Sequence, residues 1–464
     1  MRVLGLAAAA ALAVVAAPAH AADPVLVAVG DIACNPASPS YNGGAGTASE
    51  CHARHTSNLV GPLNPLNVLA LGDLQYEDGK RSRFDVSYAD SWGRPAIKSI
   101  TKPVPGNHEY GAGNTNNDNI HNDPTASGYF GYFADQLAAE GPDAGNPQKG
   151  WYSFDVPVGG TKWHVVALNS ECASGLRVTV GWEGECDDGS DQVRWLRDDL
   201  EADRSDCTLA FWHHPRFSSG GQSSSSIVAP IWNALYDDWA DVVLTGHAHN
   251  YERLAQAGVT GAREPGRGIR SWVVGTGGKN MLPMKPSPLP ATDLRSNTTH
   301  GVLKLTLHGP SAVHPRGWYE WDFVDDGQSG PNPLGDSGSG GCIGPRARPA
   351  GRVRVAPNID WVAPRLVRAR LSRKRFRVGR GTLIRFSLSE KSTVRFQVDR
   401  KRRGRWRRVG GFKRKLRAGR RRLRFTGRIG RRKLQPGGYR LTITPTDAAN
   451  NDGKVRRLSF QIQR

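Results

Sequence analysis

Five short apolar runs in this chain each stop at residues able to ligate a metal or carry a proton. Pro24–Val29 runs into Gly30-Asp31, and Val68–Leu71 into Gly72-Asp73. Pro103-Val104-Pro105 leads to Gly106-Asn107-His108-Glu109, and Thr208–Trp212 to His213-His214-Pro215. Val242–Thr245 leads to Gly246-His247-Ala248-His249. A short apolar run bounded by turn residues reads as a buried strand. The segments between the runs read as helices at Ser49–Leu59, Phe84–Trp92 and Val228–Trp239, and at Gln192–Leu200, where Val193, Leu196 and Leu200 keep helical spacing. Further strands are expected at Trp163–Leu168, Ser271–Val274, Val302–Leu307 and Trp318–Phe323. Strand alternating with helix predicts an α/β fold, and open α/β sheets collect ligand groups beyond the carboxyl ends of their strands.

The strand ends supply Asp31, Asp73 with Tyr76, Asn107 with His108, His213, and His247 with His249. In extended backbone the last two, one residue apart, point to one face. Carboxylate, amide oxygen, imidazole and phenol oxygen suit Fe, Zn or Mn rather than thiophilic metals. Seven candidate ligands exceed the needs of one ion, whereas two ions sharing a bridging carboxylate would use them all. Paired metals are the standard device for in-line phosphoryl displacement. Blander readings stand beside this one: Tyr76 as a core tyrosine, His214 as a packed histidine, His52 and His55 on a plain surface, and Gly275–Gly278 as a strand-end turn rather than a phosphate cradle.

In order and residue type these motifs resemble the metallophosphoesterase (calcineurin-like) superfamily. The tyrosine three after the second aspartate, and His249-Asn250-Tyr251-Glu252-Arg253, resemble its purple acid phosphatase branch, over roughly residues 24–323. The resemblance implies a four-layer α/β/β/α sandwich with the site at the strand ends. It implies one metal, ferric in that family, on Asp31, Asp73, Tyr76 and His249. A second metal (Zn, Mn or another Fe) is implied on Asp73, Asn107, His213 and His247, with Asp73 bridging. His108 is implied as the group that stabilises the attacked phosphorus or protonates the leaving oxygen. The expected reaction is hydrolysis of small phosphomonoesters by in-line attack of a metal-bound hydroxide. A phosphodiesterase or nuclease on the same core is the alternative, and an exported anionic-polymer-binding protein is the alternative from another class. Two departures leave substrate and pH optimum open. Ala33 and then Cys34 stand where the family's first motif has a glycine two after the aspartate, and Ser218, Ser219 and Ser223–Ser226 replace the pocket histidines of plant members.

Met1-Arg2, a Leu/Ala/Val run and Ala19-His20-Ala21 have the form of a signal peptide over residues 1–21. No later apolar stretch has the length of a membrane span, so a secreted or extracellular protein is expected, with charge able to hold it at the cell wall. Six cysteines without a C-x-x-C pair favour disulfides. Short loops suggest Cys34–Cys51 and Cys172–Cys186, leaving Cys207–Cys342.

The catalytic domain is expected over residues 22–324 and a Gly/Pro-rich linker over 325–363. Period-two runs at Leu366–Leu371, Thr382–Leu388, Thr393–Val398, Arg422–Phe425, Tyr439–Thr444 and Leu458–Ile462 predict an Ig-like all-β sandwich over 364–464. Residues 351–464 hold 37 of the 63 basic residues but 5 of the 42 acidic ones, a net of +32 against −11 for the rest. Opposite signs argue for two domains with different jobs. The basic one suits a polyanion such as cell-wall polymer or extracellular DNA, with Trp406 and the phenylalanines in its core and the runs Lys401-Arg402-Arg403 and Lys413-Arg414-Lys415 in turns.

Overall fold

The computed structural model describes residues 23–111, 123, 125–171, 186–203, 205–221, 224–328, 334–344, 364, 366–402, 405–430, 432–446 and 455–463. The leader expected at 1–21 and Cys172 lie outside them. The chain divides into two compact units, Met1–Ala347 and Arg348–Arg464. Among the described residues no helix is long and apolar enough to cross a membrane.

In the first unit the strands are β1 (Val25–Val29), β2 (Asn67–Leu71), β3 (Thr101–Val104), β4 (Tyr152–Val158), β5 (Thr161–Ala167), β6 (Cys207–Phe211) and β7 (Val242–Thr245). They continue with β8 (Tyr251–Ala257), β9 (Ile269–Val274), β10 (Thr292–Ser296), β11 (Gly301–His308), β12 (Trp318–Asp325) and β13 (Ser337–Gly341). One sheet runs β13-β12-β11-β1-β2-β3 and the other β10-β8-β9-β7-β6-β5-β4. β1, β2 and β3 are mutually parallel, as are β5, β6, β7 and β9. Each of the five motifs therefore leaves the carboxyl end of a parallel strand.

Alternation along the strands separates two cores. β6 turns Leu209 and Phe211 into the core shared by both sheets and Ala210 to the opposite face, and β7 does the same with Val242 and Leu244 against Val243. On that opposite face lie the helices Asp191–Ala202 and Ala229–Asp237, packed through Val193, Leu196, Leu200, Ile231, Trp232 and Leu235. Ser190 starts the first of them by accepting a hydrogen bond from Val193 N at 3.2 Å, a standard N-cap. Phe84, Tyr88, Trp92 and Ile97, from segments after β2, join the larger core. The result is the layered α/β architecture expected from the sequence.

β8 is hidden from sequence pattern because its charges are satisfied by distant partners. Glu252 accepts hydrogen bonds from Ser218 and Ser219, while Arg253 pairs with Asp293 at 2.8 Å and Asp336 at 3.0 Å. The expected linker 325–363 is corrected at its start, where β13 pairs with β12 and Cys342 bonds to Cys207. Glycine belongs there for a packing reason. Gly338 lies opposite Trp321, and a Cβ on it would collide with that ring. Cys34–Cys51 is also formed, and Cys186 is disulfide-bonded.

The second unit contains β14 (Leu366–Leu371), β15 (Arg375–Arg377), β16 (Thr382–Leu388), β17 (Ser392–Arg402), β18 (Arg405–Leu416) and β19 (Gly419–Phe425). After the short pair β20 (Arg428–Ile429) and β21 (Arg432–Lys433) come β22 (Gly437–Thr446) and β23 (Arg456–Gln463). The sheets β14-β16-β19 and β15-β23-β22-β17-β18 enclose Ile384, Phe386, Phe396, Val398, Phe425, Leu441, Phe460 and Ile462. Two expectations are corrected. Lys413-Arg414-Lys415 lies within β18, a sheet-edge strand that tolerates charge on faces that meet water, and Lys401-Arg402 lies at the end of β17 paired to it, with Arg403 outside the described residues. Trp406, on the edge strand β18, is 37% exposed rather than core.

Candidate metal centre

The motif residues sit where the backbone bends hard off the strands. Asp31, Asp73, His247 and His249 have φ of 60, 50, 69 and 43°. Left-handed non-glycine residues are uncommon, and they concentrate where function over-determines the backbone. The glycines before the motif residues answer close approach. A Cβ on Gly72 would lie 2.6 Å from His213 Nδ1, and one on Gly246 2.7 Å from Asp31 Oδ2.

All eight predicted residues meet in one cluster. The Tyr76 hydroxyl lies 2.9 Å from Asp31 Oδ1, 3.1 Å from Asp73 Oδ2 and 2.9 Å from His249 Nε2. On the other side of Asp73, His213 Nε2 stands 3.2 Å from Asp73 Oδ2, 3.2 Å from Asn107 Oδ1 and 3.2 Å from His247 Nδ1. Asp31, Asp73 and His249 form one triad of donors and Asp73, His213 and His247 a second, the atoms in each lying within 4.8 Å of one another. His108 borders the cluster with Nε2 3.8 Å from Asp73 Oδ2, its backbone N–H donating to Asp73 Oδ1 at 2.9 Å. Asp31, Asp73, Tyr76, His213 and His249 are buried, whereas Asn107, His108 and His247 are partly open.

Carbonyl partners orient the imidazoles. His213 Nδ1 donates to Leu71 O at 2.9 Å and His249 Nδ1 to Asn280 O at 2.8 Å, which turns each Nε2 into the cluster. Metal-ligating histidines are held in this way.

Burial sets much of the electrostatics. It pushes the Asp31 carboxyl up to about 7 against the opposing pull of His213. Burial acts the same way on Asp73, but His213 and His108 outweigh it and hold that carboxyl well below its usual range. Burial opposes a charge on His213, yet Asp73 beside it raises its pKa to about 10. Tyr76 is pushed well above its ordinary value by burial, then by Asp31 and Asp73. Two buried carboxylates and a phenol oxygen thus share one small space, with the His213 imidazole beside them opposing their repulsion. Oxygen and imidazole donors so arranged fit hard or borderline cations.

Three residues to which sequence reasoning assigned no role organise this centre. Both Glu109 oxygens accept backbone N–H groups, from Asp73, Leu74, Gln75 and Gly106 at 2.7–3.2 Å. Burial, then the Asp73 charge, raise the Glu109 pKa to about 8, while these N–H donors pull the other way. Lys279 donates its N–H to Asp31 O at 3.0 Å and its Nζ to Glu77 Oε1 at 2.6 Å. Asn280 supplies the carbonyl that aims His249. The one local signal was the position of Glu109, two after a candidate ligand.

Other candidates resolve differently. His214 is buried against Ser170 Oγ at 3.1 Å, outside both triads. His52 is not on a plain surface: it is buried, bonded to Asp326 and to Thr47 O, and stacked on His300 at 4.0 Å. The Gly275–Gly278 turn packs its backbone on Gly30, with Gly277 N donating to Gly30 O at 2.9 Å. Ser218 and Ser219 point inward to Glu252.

The profile of the family described as calcineurin-like phosphoesterase matches residues 25–251. The chain is 28% identical over 222 residues to purple acid phosphatase 23 of Arabidopsis thaliana, covering 41% of this chain and 42% of that protein. It is 26% identical over 144 residues to purple acid phosphatase 18 of the same plant, covering 29% and 33%. It therefore spans less than half the length of either relative. Purple acid phosphatase PPD1 from yellow lupin (Lupinus luteus) seeds shares the fold, with a TM-score of 0.50 at 18% identity over 71% of this chain and 57% of that one. Residues 25–251 accordingly form a calcineurin-like phosphoesterase domain, similar to the purple acid phosphatases.

Proposed function

We propose that this protein is a phosphoric ester hydrolase that cleaves phosphomonoesters at a two-metal centre. The observation carrying the reading is Asp73, whose carboxylate belongs to both donor triads. The family implies a dinuclear centre, and the donor set fits it. Asp31, Asp73, Tyr76 and His249 would hold iron, and Asp73, Asn107, His213 and His247 a zinc, manganese or second iron ion. Bound there, the ions supply neutralisation of phosphoryl charge and activation of water.

The chain's own residues do the rest. The open side, at Asn107, His108 and His247, admits the ester, while the buried side, at Asp31, Tyr76 and His249, keeps bulk water out. His108 Nδ1 donates to Glu77 O at 2.5 Å, and the ring packs 4.2 Å from Tyr76. Its Nε2 is thereby aimed at the cluster, where it can donate a proton to the leaving oxygen.

The reading extends to an exported protein, supported by the disulfides. Its basic second unit attracts polyanions, either cell-wall polymer or extracellular DNA, supported by the net +32 of residues 351–464.

The test combines metal analysis with a panel of matched aryl monoesters and diesters. Two metal equivalents and a kcat/KM for monoesters well above that for diesters are expected. Preference for diesters would overturn the monoester assignment, and a metal-loaded protein inert to every ester would overturn the hydrolase.

A further inference from the structure

Strand register aligns arginines across one face of the second unit. In the sheet β14-β16-β19 the inward residues Ile384, Phe386 and Leu388 are buried, and their neighbours face out. Cross-strand pairing aligns Arg370 with Arg385 and Arg385 with Arg422, a row of three arginines across all three strands. The flanking outward positions hold Arg420 opposite Ser387 and Arg424 opposite Leu383. Arg370, Arg420, Arg422 and Arg424 are exposed.

Adjacent strands lie about 4.8 Å apart, and like charges directly opposite one another destabilise a sheet. The three strands hold no countercharge of their own. β14, β16 and β19 contain no Asp or Glu. Arg385, in the middle of the row, has its Nε buried without a hydrogen-bond partner among the described residues. The opposite sheet also sets Arg395 across from Lys413, but Thr393, Thr442 and Thr444 interrupt its outward face, and Arg440 pairs with Asp399 at 3.0 Å.

We propose that the outward face of β14-β16-β19 binds a linear, base-free phosphodiester polymer. This deepens the polyanion reading above and settles on one of its two partners. Guanidinium forks match phosphate oxygens in pairs. Arg420, Arg422 and Arg424 recur at every second residue of β19, about 7 Å apart. With the cross-strand row they form a grid that suits a repeating anion better than a single one. Nucleic acid is the weaker fit, because single strands are held by aromatic stacking platforms as well as charge. The outward residues of this face include no aromatic. Trp406 lies on β18 in the other sheet, with the Arg440 guanidinium 4.8 Å from its ring.

The experiment uses the full chain and labelled poly(glycerol phosphate) across a salt series. The triple variant Arg370→Ser, Arg385→Ser, Arg422→Ser is compared with Lys413→Ser, Lys415→Ser, Arg457→Ser, which removes the same charge from the other sheet. The row variant is expected to lose about 2 units of the slope of log K against log salt, at about 0.7 per lost contact. The control is expected to lose less than half as much. Relief of repulsion should also raise the unfolding midpoint of the row variant at low salt, showing that it folds. Equal losses in the two triples would overturn the face assignment. Tighter binding of oligothymidylate or polyglutamate of matched charge would overturn the polymer assignment. Hydrolysis of a small soluble ester, measured on the same samples, reports separately on the hydrolase reading: a protein that binds the polymer yet cleaves no ester fails that reading and leaves the surface standing.

Discussion

Glu109 ties together the two loops that carry Asp73 and Asn107-His108, and the substitution Glu109→Gln tests that tie. Oε2 accepts from Asp73 N at 2.9 Å and Gly106 N at 2.7 Å, and Oε1 from Leu74 N at 2.9 Å and Gln75 N at 3.2 Å. Glutamine keeps the shape and one oxygen, but its NH2 group must face two N–H donors. The residue is fully buried, so water cannot replace the lost acceptor. Leaving a buried donor unpaired costs about 1–3 kcal/mol, and two such donors therefore cost about 2–6 kcal/mol. Urea unfolding followed by tryptophan fluorescence should show that loss as a lower midpoint with an unchanged m-value. Glu109→Asp, which keeps both acceptor oxygens, should lose less. Metal content and kcat should fall along with stability, because the displaced backbone carries Asp73 and His108. A Glu109→Gln protein within about 1 kcal/mol of the parent would refute the tie, since even one orphaned donor costs that much.

Four further outcomes are expected. Asp73→Asn should lose both metal equivalents and all hydrolysis, whereas His108→Ala should keep both and slow by about 10²–10⁴-fold; a fully active Asp73→Asn protein would sink the shared-carboxylate reading. Iron-loaded protein should be violet to pink from phenolate-to-iron charge transfer, and Tyr76→Phe should bleach it with iron retained; colourless parent protein holding stoichiometric ferric iron would remove Tyr76 from the ligand set. Opening Cys207–Cys342, which closes a separation of 135 residues, by paired serine substitution should cost about 4–5 kcal/mol, and unchanged unfolding under oxidising conditions would contradict this. Burial disfavours charge on His164, but Asp199 and Asp155 at 2.9 and 3.1 Å win and raise its pKa above 6.5. Its stabilising effect is therefore complete below 6.5 and lost as pH rises through the raised value. The stability gap to His164→Gln should be widest in acid and close toward alkaline pH; a gap that widens with pH would reverse the argument.

The centre was legible in sequence because its parts are local. A buried strand, a glycine and a candidate donor are consecutive residues, and both the apolar run and the tight bend are properties of the chain at that point. Gly30-Asp31, Gly72-Asp73, Gly106-Asn107 and Gly246-His247 could therefore be read in order, and so could the period-two strands of the basic unit. Where identity depends on a partner far along the chain, the pattern misleads. Ser337–Gly341 has the composition of a linker until Trp321 and Tyr319 are set opposite its glycines. Tyr251–Ala257 has the charges of a loop until Asp336 and Asp293 meet Arg253. His52 looks exposed on its helix until Asp326 arrives from 274 residues away.

Sequence alone thus determined which donors the chain possesses and that they leave strand ends. Tertiary structure decided that Asp73 belongs to both triads, that Glu109 fastens the loops, and that Lys279 reaches Glu77 across 202 residues. The physical reason is that backbone preference is set by neighbours in the chain, whereas sharing, orientation and charge balance depend on which groups the fold brings within hydrogen-bond distance.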